Sequence, residues 1–277
     1  MVYSGAHGNK ICSRAQRRVA LALHARESGT GAAVILLHGL YGAGGNLGAL
    51  ARALREDFTV CALDLPGHGR SGWLARYDLA AMAACVRDWM DQRAIARAHL
   101  VGHSLGGKVA MELALAAPQR VAALVVADIA PQAYPARHDA VFDALAAVDT
   151  AQCRSRDAAA QVLREVLSEE QVVQFLLTGL YRDEGGVYRW RLDRVGLQRD
   201  YAALQTAPDA HQPWPGPALF IAGGASDYVD AAGRAAIDAW FPAATLQVMP
   251  GCGHWLHVQD APAFNARVRR FLAASER

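Results

Sequence analysis

The chain has 277 residues, 53% of them hydrophobic, and 28 Lys+Arg stand against 26 Asp+Glu for a net charge of +2. That length can supply one large buried core, and charges so evenly balanced and interspersed exclude the basic footprint of a nucleic-acid binder and the acidic tail of an interaction protein. No apolar run approaches the roughly 20 residues that span a bilayer, so neither nucleic acid nor a membrane is an expected partner.

The five cysteines, Cys12, Cys61, Cys85, Cys153 and Cys252, are odd in number, scattered, and free of CxxC or His-spaced metal patterns. This usage predicts a reduced, cytoplasmic protein with no metal site. Lysine occurs only at Lys10 and Lys108. The opening stretch to Arg18 carries Lys10, Arg14, Arg17 and Arg18 without an apolar segment, which does not fit a secretory signal; residues 1–17 are expected to form a flexible lead.

From Arg18 to Ala25 a loose alternation suggests an edge strand. Ala32 to Leu37 is an unbroken apolar run, as in a parallel strand buried on both faces. It ends at His38-Gly39-Leu40-Tyr41-Gly42, before a helix over about Leu47 to Leu54. Phe58 to Leu63 is the next strand and closes in Asp64-Leu65-Pro66-Gly67-His68-Gly69-Arg70-Ser71. Asp78 to Arg93 has helical spacing, with Leu79, Met82, Val86, Trp89 and Met90 on one side. A strand from Ala98 to Val101 then stops at Gly102-His103-Ser104-Leu105-Gly106, and Leu105 to Ala117 is helix-forming. Val121 to Ala127 is a further strand, ending at Asp128.

This alternation of strand and helix is the signature of a doubly wound, mostly parallel sheet. Ligands of such sheets sit beyond the carboxyl ends of the strands, where His38, Asp64, Ser104 and Asp128 all fall. Between Pro131 and about Pro215 the rhythm changes to helices at roughly Asp139–Ala147, Asp157–Leu167, Glu169–Leu177 and Leu192–Leu204, with a turn at Arg182–Gly186. The expected organisation is therefore a core of 18–130 and 216–277 with a helical cap, 131–215, inserted over the ligand edge. Ala218 to Ala222 resumes the strand pattern, Ala231 to Trp240 is a helix, Thr245 to Met249 a strand, and Pro262 to Leu272 the closing helix after Gly253-His254-Trp255.

Gly-x-Ser-x-Gly between a strand and a helix describes a strained turn that projects the serine oxygen above the sheet edge. Chance alone supplies the pattern in about one chain of this length in ten, so its partners must carry the weight. A serine hydroxyl needs an adjacent base and an acid that orients the base. His254, in a glycine-flanked loop after the last strand, fits the base, although a single histidine is ordinarily a surface or satisfied core residue. An oxyanion hole needs backbone N–H donors, and Leu40 and Leu105 are placed to supply them.

Together, Leu37-His38-Gly39-Leu40-Tyr41-Gly42, Asp64-Leu65-Pro66-Gly67-His68-Gly69-Arg70-Ser71, Gly102–Gly107 and Gly253-His254-Trp255 resemble the α/β-hydrolase superfamily. Asp128-Ile129-Ala130-Pro131, Arg137-His138-Asp139 and Gly223-Gly224-Ala225-Ser226-Asp227-Tyr228-Val229 resemble the YbfF-type bacterial esterases within it. The resemblance implies a carboxylesterase-type serine hydrolase. It would cleave small-molecule esters of short to medium acyl chains through an acyl-enzyme, and acyl thioesters as a further class, with no metal or organic cofactor. It leaves two acids open. The usual position after the strand Ala218–Ala222 favours Asp227; the YbfF-type pattern puts Ser226 there, as a potential intermediary, and makes Asp128 the carboxylate.

Lesser readings attach to other residues. His103 is expected to pack or hydrogen-bond, His68 to serve a turn, and His257 to face solvent or the pocket wall. Arg137 and His138 are either an exposed basic pair or a site for an anionic acyl carrier. Gly42-x-Gly44-x-x-x-Gly48 followed by Asp64 imitates a dinucleotide site, but its spacing differs from GxGxxG and it leaves Ser104 and His254 without a role. A carbon–carbon bond hydrolase, a lactonase, or a non-catalytic small-ligand binding protein of the same fold would show the same motifs. Oligomeric state is not encoded in any pattern of the chain.

Overall fold

The computed structural model describes residues 21–209 and 211–276; the expected lead, residues 1–17, and Cys12 lie outside them. Among the described residues nine strands and eleven α-helices follow in chain order: β1 (Ala25–Ser28), β2 (Ala32–Leu37), α1 (Gly48–Leu54), β3 (Phe58–Leu63), α2 (Leu79–Gln92), β4 (Ala98–His103), α3 (Leu105–Ala116) and β5 (Val121–Ala127). Then come α4 (Asp139–Ala151), α5 (Arg156–Val166), α6 (Glu170–Leu177), β6 (Leu180–Arg182), β7 (Tyr188–Trp190), α7 (Arg194–Arg199) and α8 (Tyr201–Leu204). The chain closes with β8 (Ala218–Gly223), α9 (Ala231–Trp240), β9 (Ala244–Met249), α10 (Leu256–Gln259) and α11 (Ala261–Ser275).

Seven strands form one sheet in the order β1-β3-β2-β4-β5-β8-β9, parallel throughout except for β1, which runs antiparallel to β3. The sequence already requires this: β2, β4, β5 and β8 are apolar on both faces because each face is covered. Ile35, Leu37, Leu100, Leu124 and Phe220 turn to the face packed by α2 and α3, while Val34, Leu36, Val101, Val125 and Ile221 turn to the face packed by α1 and α11. Alternation along one strand thus feeds two cores. Among the described residues, no helix is long and apolar enough to cross a membrane.

The edge strand differs from the expectation. Residues 21–24 are not strand, and β1 begins at Ala25. The backbone of Ala22 and His24 is instead committed to the loop after β3: Gly72 N–H donates to Ala22 O, Asp64 N–H to His24 O, and His24 N–H to Ser71 Oγ.

Register sets the site. Leu37 pairs with Gly102, His103 with Ala127, and Ala127 with Ile221, so β2, β4, β5 and β8 end along one edge. Between β5 and β8 the chain leaves the sheet for α4 to α8 and the hairpin β6–β7. The hairpin replaces the simple turn expected at Arg182–Gly186, and the expected helix over Leu192–Leu204 is broken at Asp200 into α7 and α8. Asp200 is drawn out of the helical pattern because its carboxylate accepts from Tyr77 N–H at 2.8 Å and from Arg76 at 2.9 Å. This segment is tied to the core elsewhere too. Gly69 N–H donates to Arg191 O, Asp193 N–H to Gly67 O, and Tyr77 O–H to Asp193 Oδ2 at 2.8 Å.

Candidate active site

β4 delivers Ser104 at the sheet edge and α3 begins at the next residue. Ser104 sits at φ 51° and ψ −120°, a conformation that costs an ordinary side chain on the order of 1–3 kcal/mol and persists only where the surroundings enforce it. The enforcement is steric closeness. A Cβ at Gly102 would lie 2.3 Å from Gly106 O, and one at Gly106 would lie 2.2 Å from Leu37 O. Only glycines allow β4, β2 and the first turn of α3 to meet so tightly. Leu105 opens α3, so its N–H has no intrahelical acceptor and points out of the helix N-terminus, where negative charge is favoured.

β5 runs directly into Asp128, again at positive φ, 49°, with its side chain fully buried. A buried carboxylate must be hydrogen-bonded, and this one has three donors. Gly223 N–H donates to Oδ1 at 2.8 Å; Ser226 O–H donates to Oδ2 at 2.5 Å; His254 Nδ1–H donates to the same Oδ2 at 2.8 Å. Ser226 is therefore a second donor beside the histidine and does not stand between acid and base. Asp227 is not brought to His254. It is exposed and its two oxygens accept from Arg137 Nη1, each at 2.8 Å.

With Nδ1 engaged by Asp128, Nε2 is the nitrogen of His254 left to receive a proton. The ring is held from two further sides. Tyr228 stacks on it with centroids 4.0 Å apart and planes 19° apart, and His103 Nε2–H donates to the His254 carbonyl at 2.9 Å. Burial, then the neighbouring His257 and His254, push the His103 pKa well down, so His103 is a neutral brace for the loop.

A cavity of about 260 Å³ opens at this edge, walled by Ser104, His254, Leu40, Tyr41, His257 and Trp255 from the core and by Val141, Val172, Phe175 and Leu176 from the inserted segment. Its wall is mostly apolar. The expected donor at Leu40 lies in a turn closed by Gly42 N–H to Gly39 O, and its own N–H makes no hydrogen bond among the described residues.

Two buried histidines hold that turn, an arrangement with no signal in the local sequence. His38 donates from Nδ1 to Gly39 O at 2.8 Å and accepts from Leu65 N–H at Nε2, 2.9 Å. His68 donates from Nδ1 to Pro66 O at 2.9 Å and accepts from Tyr41 N–H at Nε2, 3.2 Å. Each must stay neutral to accept, and burial lowers both pKa values, that of His68 to about 3. His68 is thus more than a turn residue: it staples the Leu40 turn to the loop after β3.

Other expectations resolve as follows. His257 is buried and walls the cavity. His138 is half-buried, bonds to Tyr201 Oη, and has its pKa lowered to about 4, chiefly by desolvation, so it carries no charge for an anion at neutral pH. Asp64 is consumed internally, accepting from Gly44 N–H at 2.7 Å and Arg70 N–H at 2.9 Å with His24 Nδ1 at 3.0 Å. Although burial raises its pKa, those N–H bonds outweigh it and hold the carboxyl below the usual range. It has no free face for a ribose.

The family described as the α/β hydrolase fold matches residues 32–261. The chain belongs to the α/β-hydrolase family. The hydrolase is 38% identical over 240 residues to the esterase YbfF of Escherichia coli, covering 86% of this chain and 92% of that protein. It is 36% identical to the sn-1-specific diacylglycerol lipase ABHD11 of Mus musculus, over 87% of this chain and 81% of the mouse protein. A solved marine microorganism esterase superposes with a TM-score of 0.87 at 32% identity, covering 91% of this chain and 99% of that one. The hydrolase is of the esterase and lipase type.

Proposed function

We propose that this hydrolase cleaves carboxylic esters of short to medium acyl chains through an acyl-enzyme, with Ser104 as nucleophile, His254 as base and Asp128 as the orienting acid. The observation that carries the reading is the direct 2.8 Å contact of His254 Nδ1 with buried Asp128, on the wall of the cavity that also holds Ser104 and Leu40. Ser104 Oγ attacks the carbonyl carbon and passes its proton to His254 Nε2. The N–H groups of Leu40 and Leu105 receive the oxyanion. His254 then returns the proton to the leaving alcohol, and water repeats the sequence to free the acid. Asp128 stays ionised and stabilises the imidazolium.

We read residues 131–215 as a cap whose α4 and α6 supply the apolar wall for the acyl chain. A cytoplasmic location agrees with Cys61, Cys85, Cys153 and Cys252 being buried free thiols. Acyl thioesters are the second substrate class, and Arg137 at the cavity wall is the residue that would meet a carrier's phosphates, once released from Asp227.

The test is kcat/KM across a chain-length series of p-nitrophenyl esters beside matching acyl-CoAs, with Ser104→Ala as control. Esters should be turned over, the optimum should lie in the short to medium range, and Ser104→Ala should lose roughly 10⁶ in kcat. Absence of turnover together with no labelling of Ser104 by a fluorophosphonate would instead favour a non-catalytic ligand-binding protein.

A further inference from the structure

Lys108 is the single lysine among the described residues, and it is 2% exposed. Its position has physical meaning. It lies four residues after Ser104, and the Lys108 N–H closes the first turn of α3 on Ser104 O at 3.0 Å. Side chains at i and i+4 share a helix face, and the helical Cα–Cβ bond leans toward the N-terminus, which here is the Ser104 end.

The surroundings of the amine do not neutralise it. Nζ donates to the carbonyls of Gln205 at 3.0 Å and Thr206 at 2.6 Å and lies 4.9 Å from the centre of the Tyr134 ring. No carboxylate pairs with it among the described residues. Glu112, the next acid along α3, is turned to Asp209 N–H at 2.7 Å, and Asp128 is occupied by Gly223, Ser226 and His254. The other titratable groups beside it, His138 and Tyr228, are uncharged at neutral pH, the first because burial lowers its pKa and the second because burial raises it. A small second cavity of about 20 Å³ is walled by Lys108 together with Ser104, Leu105 and Leu40. Lys108 therefore shares a cavity wall with the nucleophile candidate and with both residues whose amides are the proposed oxyanion donors.

We propose that the Lys108 ammonium is a third contributor to oxyanion stabilisation, acting by its charge from behind the Leu40 and Leu105 amides. This rests on Ser104 being the nucleophile. In the step it assists, Ser104 Oγ bonds to the carbonyl carbon, the Ser104 proton moves to His254, and the carbonyl π electrons move onto oxygen. Lys108 keeps its three protons throughout, and its charge counts for more as the oxygen becomes negative, so it favours the transition state over bound ester. The backbone carbonyls of Gln205 and Thr206 hold the amine in place in a site of low dielectric, where a unit charge acts strongly at short range. Burial also lowers the Lys108 pKa to about 7, so the charge is half present near that pH, nearly complete about a unit below it and lost progressively above it.

The experiment compares wild type, Lys108→Met, Lys108→Arg and Glu112→Gln with p-nitrophenyl butyrate from pH 5.5 to 10, together with melting curves. Glu112→Gln disturbs the same return segment without removing the charge. We expect Lys108→Met at pH 6.5 to lose roughly 10- to 100-fold in kcat with KM within about twofold. Wild-type kcat should fall on the alkaline side with an apparent pKa near 7. Lys108→Arg should keep kcat and shift that fall above about pH 9, since guanidinium stays charged. The proposal is overturned if Lys108→Met keeps its kcat, if the loss lies in KM, if Glu112→Gln loses as much kcat, or if the alkaline fall is unchanged in Lys108→Arg. Should Lys108→Met fail to melt cooperatively, the wild-type and Lys108→Arg pH profiles decide. Ser104→Ala run alongside separates the two ideas: full activity there removes the nucleophile itself, whereas a dead Ser104→Ala beside an unimpaired Lys108→Met removes only the role of Lys108.

Discussion

At the scale of the residue, Asp128 after β5 and Asp227 after β8 both follow an apolar strand and look alike on paper, and their surroundings separate them. Asp128 is fully buried and donates nothing; it accepts from a backbone N–H, a hydroxyl and the His254 ring. Asp227 faces solvent and holds Arg137. Asp128→Asn is expected to cut kcat by about 10⁴ because an amide cannot hold the imidazole in the required tautomer. Asp227→Asn removes only an exposed ion pair, of the kind worth about 0–1 kcal/mol, and should change kcat by no more than about fivefold. Steady-state kinetics on the two variants checks the assignment, and a reversed order of effects would move the acid to Asp227.

At the scale of the element, the loops after β2 and β3 act as one unit. The 3-10 turn at Gly44–Leu47 lies beyond Leu40, so no helix or strand hydrogen bond holds the Leu40 N–H in place. His38 and His68 take that role by crossing between the loops, each using both ring nitrogens. His68→Ala would strand the Tyr41 N–H and the Pro66 carbonyl, so a loss of about 1–3 kcal/mol in stability is expected. The same change frees the Leu40 turn, and kcat should drop by up to about 10²-fold while KM changes less. Denaturant melts and kinetics on one preparation test both halves; a destabilised variant with wild-type kcat would mean the staple serves folding alone. Nothing in Pro66-Gly67-His68-Gly69 reveals this, because the partner of His68 is 27 positions earlier in the chain and is a backbone N–H.

At the scale of the whole molecule, the protein holds a set of buried and half-buried histidines in neutral form. Burial lowers His38 and His103, and brings His68 to about 3 and His138 and His257 to about 4. Unfolded, each would titrate near 6.5. The unfolded chain therefore binds more protons than the native one below that pH, and stability falls as pH drops. The stabilisation is present above about pH 6.5 and is lost progressively toward pH 4, at up to about 1.4 kcal/mol per unit for each histidine. Asp64, whose pKa is also lowered, extends the loss further into acid. Guanidinium melts from pH 7.5 to 4.5 should show a falling midpoint; a midpoint that stays flat across this range would mean that these histidines charge freely in the native state.

The sequence by itself determined the order of elements along the chain and the buried strands of a mostly parallel sheet, because two-faced burial writes unbroken apolar runs such as Ala32–Leu37 and Val121–Ala127, and these coincide with β2 and β5. It also determined the serine elbow, since Gly102 and Gly106 leave no room for any other residue. Tertiary structure alone decided which acid meets His254, how the Leu40 turn is held, where α7 ends, and that Lys108 is buried with no counter-ion among the described residues. The physical reason is common to all four. Helix and strand patterns are local and repeat along the chain, whereas a hydrogen bond between Asp128 and His254 spans 126 positions and leaves no period to read.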